Sequence, residues 1–166
     1  MKKILNKIIA LSLVAIALLA IAGCGSKEQK LTAQITLDEM SQQIQKEVEF
    51  RMMMPISADD ENSLNYLKDS IGMDFEWLNQ YVFHSNVNIS ADSLLIAEAK
   101  TADKVADIEK AFEKYKVNVI QSFENYLPEP LEVAKNGEIA TKGNYVMLVI
   151  SKDNAKAIEV FKSNIK

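Results

Sequence analysis

Apolar residues recur three and four positions apart in four stretches of this chain, a spacing typical of helices with one buried side. We predict these helices at about 37–51, 64–71, 103–126 and 153–164. The first stretch starts with Thr36, and Glu39 follows three residues later, which is the spacing of a capping box. Pro55 is interpreted as the stop signal after the first helix, and Gly72 as the end of the second.

Alternation of apolar and polar side chains replaces the helical spacing in the middle and near the end of the chain, and this period is typical of strands. We predict strands at 81–89, 94–100, 138–142 and 145–151. Ser90-Ala91-Asp92 is interpreted as the turn between the first two strands. Gly143-Asn144 suits a two-residue turn whose first φ angle is positive, so the last two strands are predicted to form a hairpin.

The order of elements is two helices followed by two copies of strand, strand and helix. It predicts an α+β domain with a four-stranded, mostly antiparallel sheet, made of two hairpins that are each followed by a helix. We expect the helices to pack on one face of this sheet, with a further helix at the N-terminal end.

One predicted strand does not fit a sheet that is covered on a single side. It is apolar on both faces and consists of Tyr145, Val146, Met147, Leu148, Val149 and Ile150. Strands of this composition are normally buried on both faces. Either the N-terminal helix covers the second face or a partner does, and in the second case these six residues are a candidate interaction strand.

The first 24 residues have the composition of an export signal. Lys2, Lys3 and Lys7 precede an apolar run that is interrupted only by Ser12 and ends close to Cys24. The segment Ile21-Ala22-Gly23-Cys24 resembles the lipobox of bacterial lipoproteins. That resemblance implies cleavage between Gly23 and Cys24 and a lipid attached to the Cys24 sulfur. We therefore divide the chain into a signal peptide (1–23), a flexible tether (24–35) and one domain (36–166).

An uncleaved membrane helix is the alternative interpretation of the same segment. Its apolar run of 15 residues spans about 22 Å as a helix, which is shorter than the roughly 30 Å hydrocarbon core of a bilayer. Cys24 is the only cysteine, and thioether formation explains an odd thiol in an exported chain. Both interpretations place the domain on the extracytoplasmic face of the cell membrane.

Charge narrows the choice of partners. Without the three lysines of the leader, 16 basic side chains remain against 23 acidic ones. An acidic surface is repelled by phosphate backbones, so we expect no nucleic-acid partner. The expected partners are the membrane, through the lipid anchor, and an envelope protein or a second copy of the chain.

Few residues suggest chemistry. His84 is the only histidine and has no recognisable motif around it, and we expect no metal and no cofactor. Asp59 and Glu61 are a conceivable acid and base pair. The run from Met52 to Met54 is interpreted as filling of the core, because consecutive residues point in different directions and suit a Cu(I) site poorly.

Two segments resemble a family of small bacterial lipoproteins known as domain of unknown function 4358. The first is Tyr126-Leu127-Pro128-Glu129 after the long helix, and the second runs from Gly143-Asn144-Tyr145-Val146 through Leu148-Val149-Ile150-Ser151 into a helix that contains Ala155. The similarity extends from about Met40 to Lys166. It implies the fold but no mechanism, and it brings no catalytic residues.

Two functions follow from this reading. The first is a non-enzymatic interaction or ligand-binding module of the cell envelope. The alternative is a small envelope hydrolase that uses carboxylates or His84.

The lipobox interpretation makes a direct prediction. The substitution Cys24→Ser removes the sulfur that receives the lipid, so the variant should neither incorporate a radiolabelled fatty acid nor be cleaved. Labelling followed by gel electrophoresis of cell membranes measures both effects. A Cys24→Ser variant that is still labelled and still shortened would contradict the assignment.

Overall fold

Five strands form one antiparallel sheet in the computed structural model of the chain, which describes residues 31–166. The strands are β1 (Met53–Pro55), β2 (Leu78–Asn86), β3 (Ser93–Ala99), β4 (Glu138–Lys142) and β5 (Tyr145–Ile150). Their order across the sheet is β1-β2-β3-β5-β4. The two predicted hairpins, β2–β3 and β4–β5, are therefore joined side by side through β3 and β5.

Five α-helices accompany the sheet within the same residues. They are α1 (Leu37–Glu47), α2 (Glu61–Ile71), α3 (Val105–Phe123), α4 (Pro128–Lys135) and α5 (Asn154–Ser163). Single 3-10 turns at Phe75–Trp77 and Ala102–Lys104 precede β2 and α3. The predicted α+β class is confirmed. None of the helices within 31–166 has both the length and the apolar character that a membrane crossing needs.

The capping box and the glycine positions predicted from the sequence are confirmed at the ends of helices and in the last hairpin. The backbone amide of Glu39 donates to the Thr36 hydroxyl (3.1 Å), and the amide of Thr36 donates to the Glu39 carboxylate (2.9 Å), which completes the capping box. Gly72 ends α2 with a φ of 74°. Gly143 has a φ of 58° in the turn between β4 and β5, a conformation that glycine adopts without strain.

Helices cover both faces of the sheet, which corrects the expectation that they pack on one face. Leu148 of β5 and its neighbour Leu95 of β3 point into a core formed with α2, α3 and α4. Met147 and Ile96, one position along, point into a second core formed with α1 and α5. Every residue of β3 and β5 is buried. Of the two predicted alternatives for the second face, the N-terminal helix and not a partner is the cover, and the C-terminal helix α5 joins it.

The sheet has a fifth strand, β1, that the sequence analysis missed. Met53 pairs with Asn86 and Pro55 pairs with His84, so β1 lies at the outer edge next to β2. Only an edge strand tolerates proline readily, because proline has no N–H to donate to a neighbouring strand. A strand of three residues shows no alternation, and Pro55 was interpreted only as a stop signal for the preceding helix, which in fact ends at Glu47.

The methionine run does not fill the core, contrary to expectation. Met52 is 49% exposed and Met54 is 57% exposed, while Met53 between them is partly buried against the second core. The edge position of β1 explains this, because one side of a short edge strand faces the solvent.

The last part of the predicted flexible tether is fixed to the domain. The backbone amide of Thr32 donates to the carbonyl of Lys166 (2.8 Å), and the amide of Lys166 donates to the carbonyl of Thr32 (3.0 Å). The amide of Ala33 donates to the Tyr145 hydroxyl (3.1 Å). Residues 31–35 therefore belong to the domain. The predicted signal peptide, the cleavage site at Gly23 and Cys24, and residues 25–30 of the tether lie outside the described residues.

Candidate functional site

A charged cleft lies at the end of the sheet where β5 finishes and β3 begins. Its volume is about 330 Å³. Four segments form its walls: the chain after α1, the turn between β2 and β3, one side of α4, and the loop between β5 and α5. Loops that a rigid sheet holds in place are common locations of binding sites.

Asp92 is the most unusual residue in this cleft. It is a carboxylate that is only 4% exposed, yet it lines the cavity. Its Oδ2 atom accepts a hydrogen bond from the Ser90 hydroxyl (2.7 Å) and another from the backbone amide of Arg51 (3.0 Å). No hydrogen bond to its Oδ1 atom and no ion pair occurs within residues 31–166. The carboxylate is thus held in place through Oδ2, while Oδ1 is an acceptor that solvent or a ligand can reach.

A three-residue ion cluster ties the walls of the cleft together at its mouth. The Glu129 carboxylate, at the start of α4, accepts from the Arg51 guanidinium and from the Lys152 ammonium, the latter at 2.9 Å. The hydrogen bond from Arg51, and after it the one from Lys152, hold the pKa of Glu129 at about 2, below its usual value of 4.5. All three side chains are about half exposed or more, so the contribution of this cluster to stability is small.

Carboxylates outnumber cations around the cavity. Its lining contains the four acids Glu47, Glu49, Asp92 and Asp153 and only the two bases Arg51 and Lys152. Glu47 is paired with Lys156 of α5 (3.0 Å), and Arg51 with Glu129. The balance therefore remains negative after these pairs are taken into account, and such a cavity favours positively charged groups.

Amide and hydroxyl groups next to the end of β5 hold the loop between β5 and α5 in place. Asn154 Oδ1 accepts from both the backbone amide and the hydroxyl of Ser151 (2.9 Å each). Asn154 Nδ2 donates to the carbonyl of Asn136 at the end of α4 (2.7 Å). A second, more open depression of about 790 Å³ lies along this loop and shares Val133, Lys152 and Asp153 with the cleft. The hydrogen bonds of Ser151 and Asn154 thus hold the backbone on either side of Lys152 and Asp153.

Two residues that adjoin cleft residues in the chain have exposed apolar side chains. Met52, next to Arg51, is 49% exposed, and Ile89, next to Ser90, is 62% exposed. The Asn88 amide lies 3.8 Å from the Met52 sulfur, so the two loops that carry Met52 and Ile89 approach each other here. Neither residue lines the cavity itself, but each adjoins a residue that does, and we call Met52 and Ile89 the apolar rim of the cleft.

The comparison with known protein families gives one result. Residues 39–151 match the family described as a domain of unknown function (DUF4358). The chain belongs to this family. The match contains every strand and the cleft residues Arg51 and Asp92, and it ends at Ser151, short of the expected limit at Lys166. No curated protein and no solved structure matches this DUF4358 chain.

His84 lies in a separate, shallow cavity of this DUF4358 domain, on β2. Its Nδ1 atom is 3.5 Å from the hydroxyl of Ser41, a residue that is 1% exposed and that also accepts from the Gln45 amide (3.0 Å). Burial lowers the pKa of His84, and the negative charge of Asp38 partly opposes this shift. Since the hydroxyl is covered, these residues do not present a nucleophile and base to the solvent.

The other candidates from the sequence are not brought together. Asp59 and Glu61 are exposed at the start of α2 and line none of the cavities described here, and the cap of that helix is Asp60. Among residues 31–166, no group of three or more His, Cys, Asp or Glu side chains is placed to hold a metal ion. All six residues from Tyr145 to Ile150 are buried by the chain's own helices, so we do not propose docking through this strand.

Sequence reasoning did not identify the cleft. Ser90 and Asp92 were correctly placed between two strands, but the turn itself is at Asn88 and Ile89, and residues 90–92 are irregular. Such a connection is expected to be exposed, and nothing local indicates that Asp92 is buried. Arg51, Glu129 and Lys152 are far apart in the sequence. The one available signal was the combination of serine and aspartate two residues apart, which is typical of side chains that bind neighbouring backbone amides.

The ion cluster predicts an unusual titration. We expect the Glu129 carboxyl carbon, followed by NMR, to titrate well below pH 4.5. Because the pKa in the folded state is the lower one, the stabilisation is present above about pH 4.5 and is lost as the pH falls towards 2. The substitution Lys152→Ala and added salt should both raise the midpoint. Lys135→Ala, which removes a lysine paired with Glu132 instead, should leave it unchanged. An ordinary midpoint that is insensitive to Lys152→Ala would contradict the geometry.

Proposed function

We propose that this chain is a lipid-anchored lipoprotein of the extracytoplasmic membrane face, whose domain is a non-enzymatic binding module. Its ligand is a peptide segment of an envelope protein, and the charged cleft binds a cationic side chain of that segment. The observation that carries the proposal is Asp92, a residue that is only 4% exposed, lines the cavity and has an Oδ1 atom that accepts no hydrogen bond from residues 31–166.

Charge complementarity supports a cationic group. An ammonium or guanidinium in the cavity meets Asp92 at its wall and Glu49, which has no ion pair among the described residues. A hydrogen bond to a charged group contributes about 1.5–3 kcal/mol, more than one between neutral groups. The low exposure of Asp92 strengthens such a bond, because water screens it less.

The apolar rim supports a peptide rather than a free ion. Met52 and Ile89 expose apolar surface, and methionine adapts readily to different partners. A peptide whose cationic residue is flanked by apolar ones would fill the cleft and cover the rim at the same time.

The N-terminal end of the domain, where a tether would begin, is distant from the cleft. The chain enters the domain at residues 31–33, which bind next to Tyr145 at one end of β5. The cleft lies beyond Ile150, at the other end, and six strand residues separate the two by about 17 Å. The cleft and the point where the chain enters the domain therefore lie at opposite ends of β5.

The proposal is tested with a short synthetic peptide. The probe is an acetylated and amidated Leu-Lys-Leu tripeptide, titrated into the purified full chain in non-ionic detergent and followed by amide NMR. We expect shifts of the amides around Ser90 and Lys152. Asp92→Asn should weaken binding about tenfold or more, which corresponds to the loss of one charge-assisted hydrogen bond. Glu49→Gln changes an exposed residue that makes no ion pair within residues 31–166, and it should weaken binding severalfold.

Two controls separate the cleft from general charge effects. Glu76→Gln removes an exposed acid beside the start of β2, at the opposite end of the sheet, and should leave the affinity unchanged. The same peptide with glutamine in place of lysine should bind much more weakly. Equal binding of the two peptides, or an affinity that neither Asp92→Asn nor Glu49→Gln alters, would refute the proposal.

A further inference from the structure

A second cavity of the domain is lined by uncharged polar groups. It lies between α2, α3 and the end of β2 and has a volume of about 300 Å³. Its lining contains three serines, two asparagines and two tyrosines, and no charged side chain. We call it the neutral groove. In a domain with a quarter of its residues charged, a cavity that excludes every charge selects against ionic ligands.

The wall of the neutral groove is rigid. The Tyr115 side chain is only 5% exposed, and its hydroxyl donates to Asn86 Oδ1 (3.1 Å). The same hydroxyl lies 3.3 Å from the Ser93 hydroxyl and accepts from the Asn86 backbone amide (3.4 Å). These bonds fix the orientation of the Asn86 side chain, so its Nδ2 donors are held in place before any ligand arrives.

Several polar groups in the neutral groove have no partner within the described chain. The side chains of Ser85 and Asn118 are half-buried and make no hydrogen bond to any of residues 31–166, and Asn86 Nδ2 makes none either. Together they offer a hydroxyl, a complete amide and a pair of amide donors. This set matches a ligand that carries alternating donors and acceptors, as the hydroxyl groups of a sugar do.

An exposed aromatic ring forms the edge of the neutral groove. Tyr66 on α2 is 62% exposed, although it lines the cavity. The faces of sugar rings carry C–H groups that pack against aromatic rings, and a tyrosine also contributes a hydroxyl. Leu67 and Val119 add an apolar floor for such a ring. A cavity with an apolar surface and a few well-placed polar groups is the usual form of a small-ligand site.

We propose that the neutral groove binds an uncharged sugar unit of a glycan, with the Tyr66 ring against the sugar face and Asn86, Ser85 and Asn118 on its hydroxyl or acetamido groups. This site shares no residue with the charged cleft and does not depend on the peptide proposal. The domain would then contact a glycan and a peptide through two different cavities near the same end of its sheet.

The test uses a defined neutral oligosaccharide. The probe is the trimer of N-acetylglucosamine, titrated into the full chain in a sugar-free non-ionic detergent and followed by amide NMR. We expect shifts of the amides of Asn86 and Asn118. The dissociation constant should lie in the millimolar range that is common for single sugar sites. Tyr66→Ala and Asn118→Ala should each weaken binding about five- to tenfold. Tyr126→Ala, which removes an equally exposed tyrosine outside the cavity, should have no effect.

Three other outcomes of this titration would overturn the proposal. Absence of shifts at the neutral groove at millimolar trisaccharide would overturn it. So would an affinity that is the same in the Tyr66→Ala, Asn118→Ala and Tyr126→Ala variants. If a neutral tri-alanine peptide with blocked ends shifts the same amides and the sugar does not, the groove is a peptide site. Glu49→Gln should leave sugar binding unchanged, which separates this result from any failure at the charged cleft.

Discussion

The structure depends on one constraint: β3 and β5, at the centre of the sheet, are buried along their whole length and on both faces. Such strands are unstable unless apolar surface covers each side. The chain meets this requirement with α2, α3 and α4 on one face and with α1 and α5 on the other. Because all of that apolar surface is used internally, the faces of β3 and β5 are unavailable for recognition, which leaves the ends of these strands and the spaces between helices as places for a site.

Both candidate sites occupy such positions. The charged cleft is formed where β5 ends and β3 begins, and its residues come from four loops and helix ends that the sheet holds in place. The neutral groove lies at the end of β2 beside α2 and α3. The first is acidic and contains a buried carboxylate, whereas the second contains no charge at all. The two cavities lie near the same end of the sheet, but they share no lining residue and differ in charge, which favours two different ligands over one extended site.

Most of the secondary structure could be predicted from the sequence, because helices and strands of ordinary length repeat their apolar positions with the right period. The capping box at Thr36 and the glycine turn at Gly143 are local signals and were also predictable. β1 was not, since three residues that include Pro55 are too few to show a period. The burial of Asp92 was not predictable either, because it results from segments that meet only in the folded chain. The double-sided apolar pattern of β5 did indicate a second cover, but could not say whether the chain itself supplies it.

The most direct test of this account is the unfolding free energy of three alanine variants, measured with urea. Met147 points into the core under α1 and α5, Leu148 points into the core under α3, and Met54 is exposed. Because helices cover both faces of the sheet, we expect Met147→Ala and Leu148→Ala each to lower the unfolding free energy by about 2–5 kcal/mol. Met54→Ala should change it by no more than about 0.5 kcal/mol. A Met147→Ala variant as stable as Met54→Ala would show that the second face is open, and would contradict the account.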